Sequence, residues 1–500
     1  MKNARRLLSM LLVSIMVLTM SLPVFATDVT ITGRGKTYAA YELLKEESRS
    51  TDGVIYSVRD EYRATLQAVT KKTTDKEIID YLAGLNGNQT EIDKFAKEMH
   101  AALSSGAATQ TLAGSDTGVT FTGLEEGYYL FLELEPADEW KTTDPVTGEF
   151  INHADEVSKA MLQPVTGESM TIAAKEDEVT SKKKVQETND STGYTSDWQD
   201  AADYDIGDHV PFQLSGKISG NYDEYDTYFF EFQDKMSAGL TFDGTVEVYL
   251  NDTTLIDQSA YVLTKISDQE FTVTFDDLKT RVPAAKAGDE IYVYFTATLN
   301  ENAEIGATGN TNESRIRYSN NPNNKDDFGF TPWDLVIVFT YTVEANKVTD
   351  QGDALVGASF ELFKVLANGT EISLGEIDGT QLSTFTWKGI DAGKYILRET
   401  QTPPGYNTIA DIEFEVKAEY ETIAEKAKLT RLYVEPSDVF TATLTQTGEI
   451  SGMLEGDIVN ESGIELPSTG GIGTTIFYVV GALMMIGAGV VLVTRRRVQK

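Results

Sequence analysis

The sequence predicts a mainly β protein, a row of β-sandwich domains with some helix in the first of them. Three observations carry this. Short stretches in which apolar and polar residues alternate, as at 210–214, 228–232, 246–250, 271–275 and 291–295, follow one another between turn residues across the middle of the chain. Strand signals at that frequency indicate an immunoglobulin-like sandwich. Two blocks near the start return in the same order near the end: residues 39–45 (AAYELLK) against 358–364 (ASFELFK), and residues 123–133 (GLEEGYYLFLE) against 389–399 (GIDAGKYILRE). Matched blocks in matched order indicate one module used twice. Finally, the chain without its hydrophobic ends is about 440 residues long, which suggests roughly three domains.

Residues 27–174 form the first domain. Residues 29–32 alternate as a strand and 38–45 read as the next. Two helices are expected to follow. Thr74 and Glu77 are spaced for a capping box ahead of Ile78, Leu82 and Leu85, and Ile92, Phe95, Met99 and Leu103 recur at helical spacing. His100 lies beside that stripe with no partner histidine and reads as a boundary residue, not a ligand. Residues 175–342 form the middle domain and 343–465 the third. The last strand signal of the middle domain, 335–343, runs directly into the third, so a short, stiff junction is expected.

Both ends read as processing segments. Lys2, Arg5 and Arg6 precede an apolar run that closes on Pro23-Val24-Phe25-Ala26, a secretory signal peptide over 1–26. Near the other end, residues 475–494 carry no charge and are long enough to cross a bilayer as a helix, with the basic tail 495–500 held on the cytoplasmic side. Without both ends the net charge moves from −36 to −43. Such a surface repels phosphate and argues against nucleic acid. The absence of cysteine rules out disulfides and thiolate chemistry. The three histidines, His100, His153 and His209, show no metal-helix spacing, and residues 203–208 lack calcium-loop spacing and read as a turn. No metal, cofactor or site for enzymatic turnover is expected.

Leu466-Pro467-Ser468-Thr469-Gly470 stands just ahead of the uncharged run. Pentapeptide, run and basic tail together resemble the L-P-x-T-G sorting signal (466–470) of Gram-positive cell-wall proteins. The resemblance implies a transpeptidation in which a sortase cysteine attacks the Thr469 carbonyl, releases Gly470 onward and passes the acyl group to an amine. The chain would be the substrate, not the catalyst.

Residues 395–406 (YILRETQTPPGY) resemble the E-box of Gram-positive backbone pilins, in modules similar to the B domains of a collagen adhesin. In that family a first-strand lysine and a last-strand asparagine join in an intramolecular isopeptide bond assisted by the E-box acid. The resemblance assigns these roles to Lys347, Asn460 and Glu399. Val343, Ala345 and Lys347 share one strand face, so the lysine points into the core. Burial would leave it a free amine beside a protonated glutamate. In the middle domain, Val179 and Val185 set the inward face and alternation puts Lys183 on it, with Asp234 resembling the acid of such middle domains. Asn312 and Asn320 share one face of their strand and alternation does not choose between them; Asn320 is preferred. The first domain is expected to lack the bond, because residues 28–32 hold no lysine where Lys347 would align and the segment near 170–172 holds no asparagine. A lysine in a V-Y-P-K sequence accepts the next subunit's threonyl group in the family. Lys175 stands at that place without the tyrosine and proline, so an exposed linker lysine is the equal alternative.

The resemblance implies the shaft subunit of a sortase-assembled pilus, secreted, polymerised through Thr469 and a lysine, and anchored to the wall of a Gram-positive bacterium, the precursor being held in the membrane. The implied partners are pilin-class and housekeeping sortases, copies of the same chain in a covalent homopolymer, peptidoglycan and minor pilins. The alternative is a monomeric wall-anchored adhesin that binds a host or environmental polymer.

Overall fold

The structure, a computed structural model, describes residues 27–463 apart from 33–35, 52, 104–106, 116, 137–140, 144–149, 153–159, 175–178, 323–324 and 424–425, together with 478–488. The signal peptide, Lys175, the sorting signal 466–470 and the basic tail lie outside the described residues. Of the expected membrane run, residues 478–488 are described and helical; among the described residues no helix is long and apolar enough to cross a membrane.

In the first domain Thr27–Thr32 lies between Met170–Ala173, parallel to it, and Val119–Leu124, antiparallel. Its inward side chains Val29 and Ile31 pack with Phe121 of the same sheet and with Phe131 of the opposing sheet. That sheet is built on Lys36–Ser50 and Gly127–Pro136. Its other face is covered by helices through Tyr41, Leu66, Ile78, Phe95 and Met99. The capping box forms at Thr74 and Glu77 as expected. Among the described residues there are three helices here, not two: Asp60–Thr70 starts after Arg59, which makes no side-chain cap bond and left no start signal in the sequence.

The middle domain is a sandwich. One sheet runs Ser181–Val185, His209–Lys217, Glu290–Leu299, Leu240–Leu250; the other includes Asp334–Phe339, Asn310–Ser319, Phe230–Met236 and Glu270–Phe275. Aromatic rings fill the gap between sheets, with Phe242 and Phe271 stacked at 4.1 Å. In the third domain Tyr341–Thr349 pairs with Thr384–Ile390 and runs parallel to Ile450–Asn460; Ala358–Val365 and Gly393–Gln401 lie in the facing sheet. The echoed blocks occupy the same places in the first and third domains, with one correction. Lys364 faces Tyr395 across the strands, while Glu42, not Lys45, faces Tyr129. A bulge between Glu42 and Leu44 shifts the register from the one the aligned letters suggest.

The junction between middle and third domains is short. Thr340 alone separates strand Asp334–Phe339 from Tyr341–Thr349, so the third domain's sheet begins slightly ahead of the expected 343. Buried Asp203 accepts hydrogen bonds from the Tyr341 and Tyr420 hydroxyls and from the Ala392 N–H. Residues 203–208 are thus more than the turn expected of them. The Lys364 ammonium lies 2.9 Å from Asp190, 2.7 Å from Asp205 and 2.9 Å from Asp391. Burial works to lower its pKa, but Asp391 and Asp205 outweigh it and hold it above the usual lysine range. Carboxylate oxygens of Asp190, Asp205, Asp208 and Asp391 lie within 4.8 Å of one another, and this ammonium supplies their counter-charge.

Removing one partner of a buried ion pair costs about 3–5 kcal/mol. Lys364→Met is therefore expected to uncouple the two domains, and scanning calorimetry of residues 27–469 checks it: one joint transition for the middle and third domains in the parent, two separate ones in the variant.

Candidate isopeptide sites

Alternation along Tyr341–Thr349 turns Val343, Ala345 and Lys347 inward, all three fully buried. The parallel pairing sets Lys347 opposite Ile458 and Thr349 opposite Asn460, so the long lysine reaches diagonally to the inward Asn460. Its Nζ donates to Asn460 Oδ1 and lies 3.6 Å from Glu399 Oε1. Asn460 Nδ2 donates to the same Glu399 Oε1 at 3.0 Å. The other carboxylate oxygen accepts from the Ile409 N–H and the Thr402 hydroxyl, each at 3.1 Å, which fixes the carboxyl plane. The Phe360 ring lies 5.2 Å from the amine. Burial pushes the Lys347 pKa down to about 8, with Glu399 pulling the other way. All three members expected from the sequence are brought together.

In the middle domain Lys183 is fully buried on an edge strand and donates to Asp234 of the opposite sheet. Phe212 and Phe295 flank the amine at 5.2 and 5.1 Å. Burial lowers the Lys183 pKa and raises that of Asp234 to about 6, both shifts favouring the neutral forms. The strand pairing distinguishes the two asparagines. Asp234 faces Ser314, and Met236 faces Asn312, so Asn312 sits one inward position from the acid. Asn320 lies six residues from Ser314, about 20 Å along a strand, near Phe229 instead. By this register Asn312 lies nearer the acid than the preferred Asn320, because alternation fixes the face and not the distance along it. Asn312 and Asn320 are both fully buried with neither amide atom hydrogen-bonded.

The first domain departs from expectation. Its opening strand has no lysine, but Lys36, at the head of the next strand, is buried 3.2 Å from Glu133, the counterpart of Glu399. Amine and acid are both in place, so the expected absence of a bond there rests on the acyl partner alone. Sequence reading missed Lys36 because it was sought on the wrong strand. His100 is half-buried, and burial lowers its pKa.

Comparison with known proteins follows the same division. Residues 206–322 match the family described as Gram-positive pilin backbone subunit 2, Cna-B-like domain; residues 341–429 match the prealbumin-like fold domain; residues 458–500 match the LPXTG cell wall anchor motif. The trypsin-resistant surface T6 protein of Streptococcus pyogenes serotype M6 is 27% identical over 335 residues. That alignment covers 53% of this chain and spans 60% of the relative's length. The solved T6 backbone pilin of the same organism superposes with a TM-score of 0.53 at 17% identity, over 88% of this chain and 99% of that one, which shows a shared fold. The full-length major pilin SpaD of Corynebacterium diphtheriae gives a TM-score of 0.46 at 16% identity over 88% of this chain and 97% of that one. The chain is a homologue of the Gram-positive backbone pilins, built from their domains and ending in an LPXTG cell-wall anchor motif.

Proposed function

We propose that the chain is the shaft subunit of a sortase-assembled pilus, stiffened by internal amide cross-links and fixed to the cell wall through Thr469. The buried trio Lys347, Asn460 and Glu399 carries this reading, because a free amine, an amide carbon and a carboxyl in mutual contact are what a self-made cross-link needs. The neutral Lys347 amine attacks Asn460 Cγ, forming the N–C bond. The carboxyl of Glu399 gives a proton toward the amide and takes one from the attacking nitrogen. The Cγ–Nδ2 bond breaks and ammonia leaves, so one lysine and one asparagine become one secondary amide and one ammonia. Lys183, Asn312 and Asp234 are read as the same chemistry in the middle domain. Each trio acts once, which makes this assembly chemistry and not turnover.

Polymerisation follows from the sorting motif. A sortase cleaves after Thr469 and joins it to an amine of the next copy, for which Lys175 is the reading from its place between domains. Signal peptide 1–26, the three domains, the membrane run and the tail take the roles given by the sequence, with peptidoglycan as the final acceptor.

Intact-mass spectrometry of residues 27–469 is expected to show a deficit of two ammonia molecules, with cross-linked peptides joining Lys347 to Asn460 and Lys183 to Asn312. Asn312→Ala should abolish one loss and Asn320→Ala neither; the reverse would return the middle bond to Asn320.

Glu399→Ala should leave Lys347 and Asn460 unjoined. A bond across a separation of 113 residues contributes about 5 kcal/mol through the unfolded state, so the third domain's melting temperature should fall by on the order of 15 °C.

On cells, wall extracts should give a high-mass ladder that survives boiling in detergent, and Lys175→Arg should collapse it. A single anchored band in the parent strain would favour the adhesin instead.

A further inference from the structure

Two sets of contacts join the middle and third domains, one on each flank of the entering strand Tyr341–Thr349. That strand lies between Thr384–Ile390 and Ile450–Asn460 in its sheet. On the Ile450 flank the peptide groups themselves meet. A Cβ on Gly306 would lie 2.2 Å from the Ser451 carbonyl oxygen, and one on Gly452 would lie 2.3 Å from Gly306 Cα. The Ala307 N–H donates to the Ile450 carbonyl at 3.2 Å. Nothing in these contacts titrates.

The Ile390 flank is a strap. A hairpin of the middle domain, Thr188–Asn189 paired with Tyr194–Thr195, folds over the turn at 389–393. The Asn189 amide donates to the Ala392 carbonyl at 2.7 Å, and the Ser191 hydroxyl accepts from the Lys394 N–H at 2.7 Å. The Asp190 carbonyl accepts from the Ala367 N–H at 2.8 Å, and the Ile206 N–H donates to the Gly389 carbonyl at 2.9 Å. At the foot of the hairpin Glu187 accepts from the Asp203 N–H at 3.3 Å. The Asp203 and Asp205 carboxyls in turn accept from the Ala392 and Asp391 N–H groups at 2.8 and 2.9 Å.

This flank is crowded with acid. To the cluster of Asp190, Asp205, Asp208 and Asp391 it adds Asp203 and Glu187. Among the described residues the ion pairs of this group run to one cation, Lys364. One ammonium cannot neutralise six carboxylates, and like charges this close in a buried place raise one another's proton affinity. Burial raises the pKa of Asp203 and of Asp391. It pushes Asp208 up to about 6, helped by Asp205, and Glu187 up to about 8, helped by Asp203. The phenols that face these acids, Tyr204, Tyr341, Tyr395 and Tyr420, are raised above the usual tyrosine range and stay neutral. Lys364 is raised as well and stays charged.

We propose that the strap is a proton-operated latch, closed while its acids hold protons and released when they give them up, the third domain then turning about the Gly306–Gly452 contact. The closed junction binds these protons more tightly than carboxyls in water do. Its advantage is therefore complete below the ordinary carboxyl range and is lost as pH rises to about 6 at Asp208 and about 8 at Glu187. Because Lys364 keeps its charge throughout, the change comes from the acids.

Amide hydrogen exchange on residues 27–469 tests this, with protection corrected for the intrinsic exchange rate at each pH. Between about pH 5 and about pH 8.5 the cross-domain amides of the strap side, Ile206, Ala367 and Lys394, are expected to lose at least about tenfold in protection, while Ala307 and the buried strands of both domains hold. Asp203→Asn with Glu187→Gln puts neutral groups of the same shape in place of two acids and should shrink that loss. The buried-strand amides report whether this variant folds; if it does not, the parent alone decides. Equal protection of the strap amides at both pH values in the parent overturns the latch. So does an equal loss at Ala307, which would mean that the whole junction separates, or an undiminished loss in a folded variant.

Discussion

Burial pulls down the pKa of a lysine amine deep in a β-sandwich unless enough negative charge surrounds it, and this chain shows both cases. Lys347 and Lys364 are each almost without solvent. Lys347 has one carboxyl, 3.6 Å away, and desolvation wins, taking its pKa to about 8. Lys364 has three carboxylates within 2.9 Å, and Coulomb attraction wins. The count of acids around one residue type thus separates a lysine whose pKa falls from one whose pKa rises. Lys183, whose amine donates to Asp234 between two aromatic rings, falls with Lys347, its pKa lowered by burial.

The two kinds of centre divide the work of rigidity. The lysines of lowered pKa sit inside domains, where first and last strands meet across the sheet or between sheets. The charged lysine sits between domains, where covalent chemistry has no terminal strand to join. An ion cluster there ties the two domains together, and Thr340, the single residue between two strands, is fully buried with hydrogen bonds to both domains.

What the sequence could reveal follows the range of each interaction. Lys347 was legible because strand alternation is local and Val343 and Ala345 mark its face. Asn312 was not, since a period of two repeats unchanged from Asn312 to Asn320 and only pairing with Phe230–Met236 measures the distance. The Asp60–Thr70 helix was hidden by an uncapped start at Arg59. Lys36 was overlooked because the two repeats draw their lysines from different strands. The Lys364 cluster joins residues 159 and 174 positions apart in sequence across a domain boundary, and no spacing rule reaches that far. The echo of 123–133 in 389–399 did mark matching turns in the two domains, each with a positive-φ glycine and a tyrosine hydroxyl bonded back to the turn.

Where the proposed bonds fall decides which parts of the chain would feel a pull along the shaft. Tension entering the third domain at Tyr341 would run along six residues to Lys347, cross to Asn460 and leave by the last strand, so everything from 348 to 459 is off the load path. The middle domain differs. A bond from Lys183 to Asn312 leaves residues 313–340 in series with the load, and that segment includes Asp334–Phe339, which pairs back onto Asn310–Ser314. Antiparallel neighbours loaded in this way are held by hydrogen bonds that must shear together, and the Lys183 N–H to Asp334 bond at 2.7 Å ties the same strand to the cross-linked lysine. Downstream, that strand ends at the Lys364 junction. The ion cluster is therefore placed where the covalent path of the middle domain gives out and before that of the third begins.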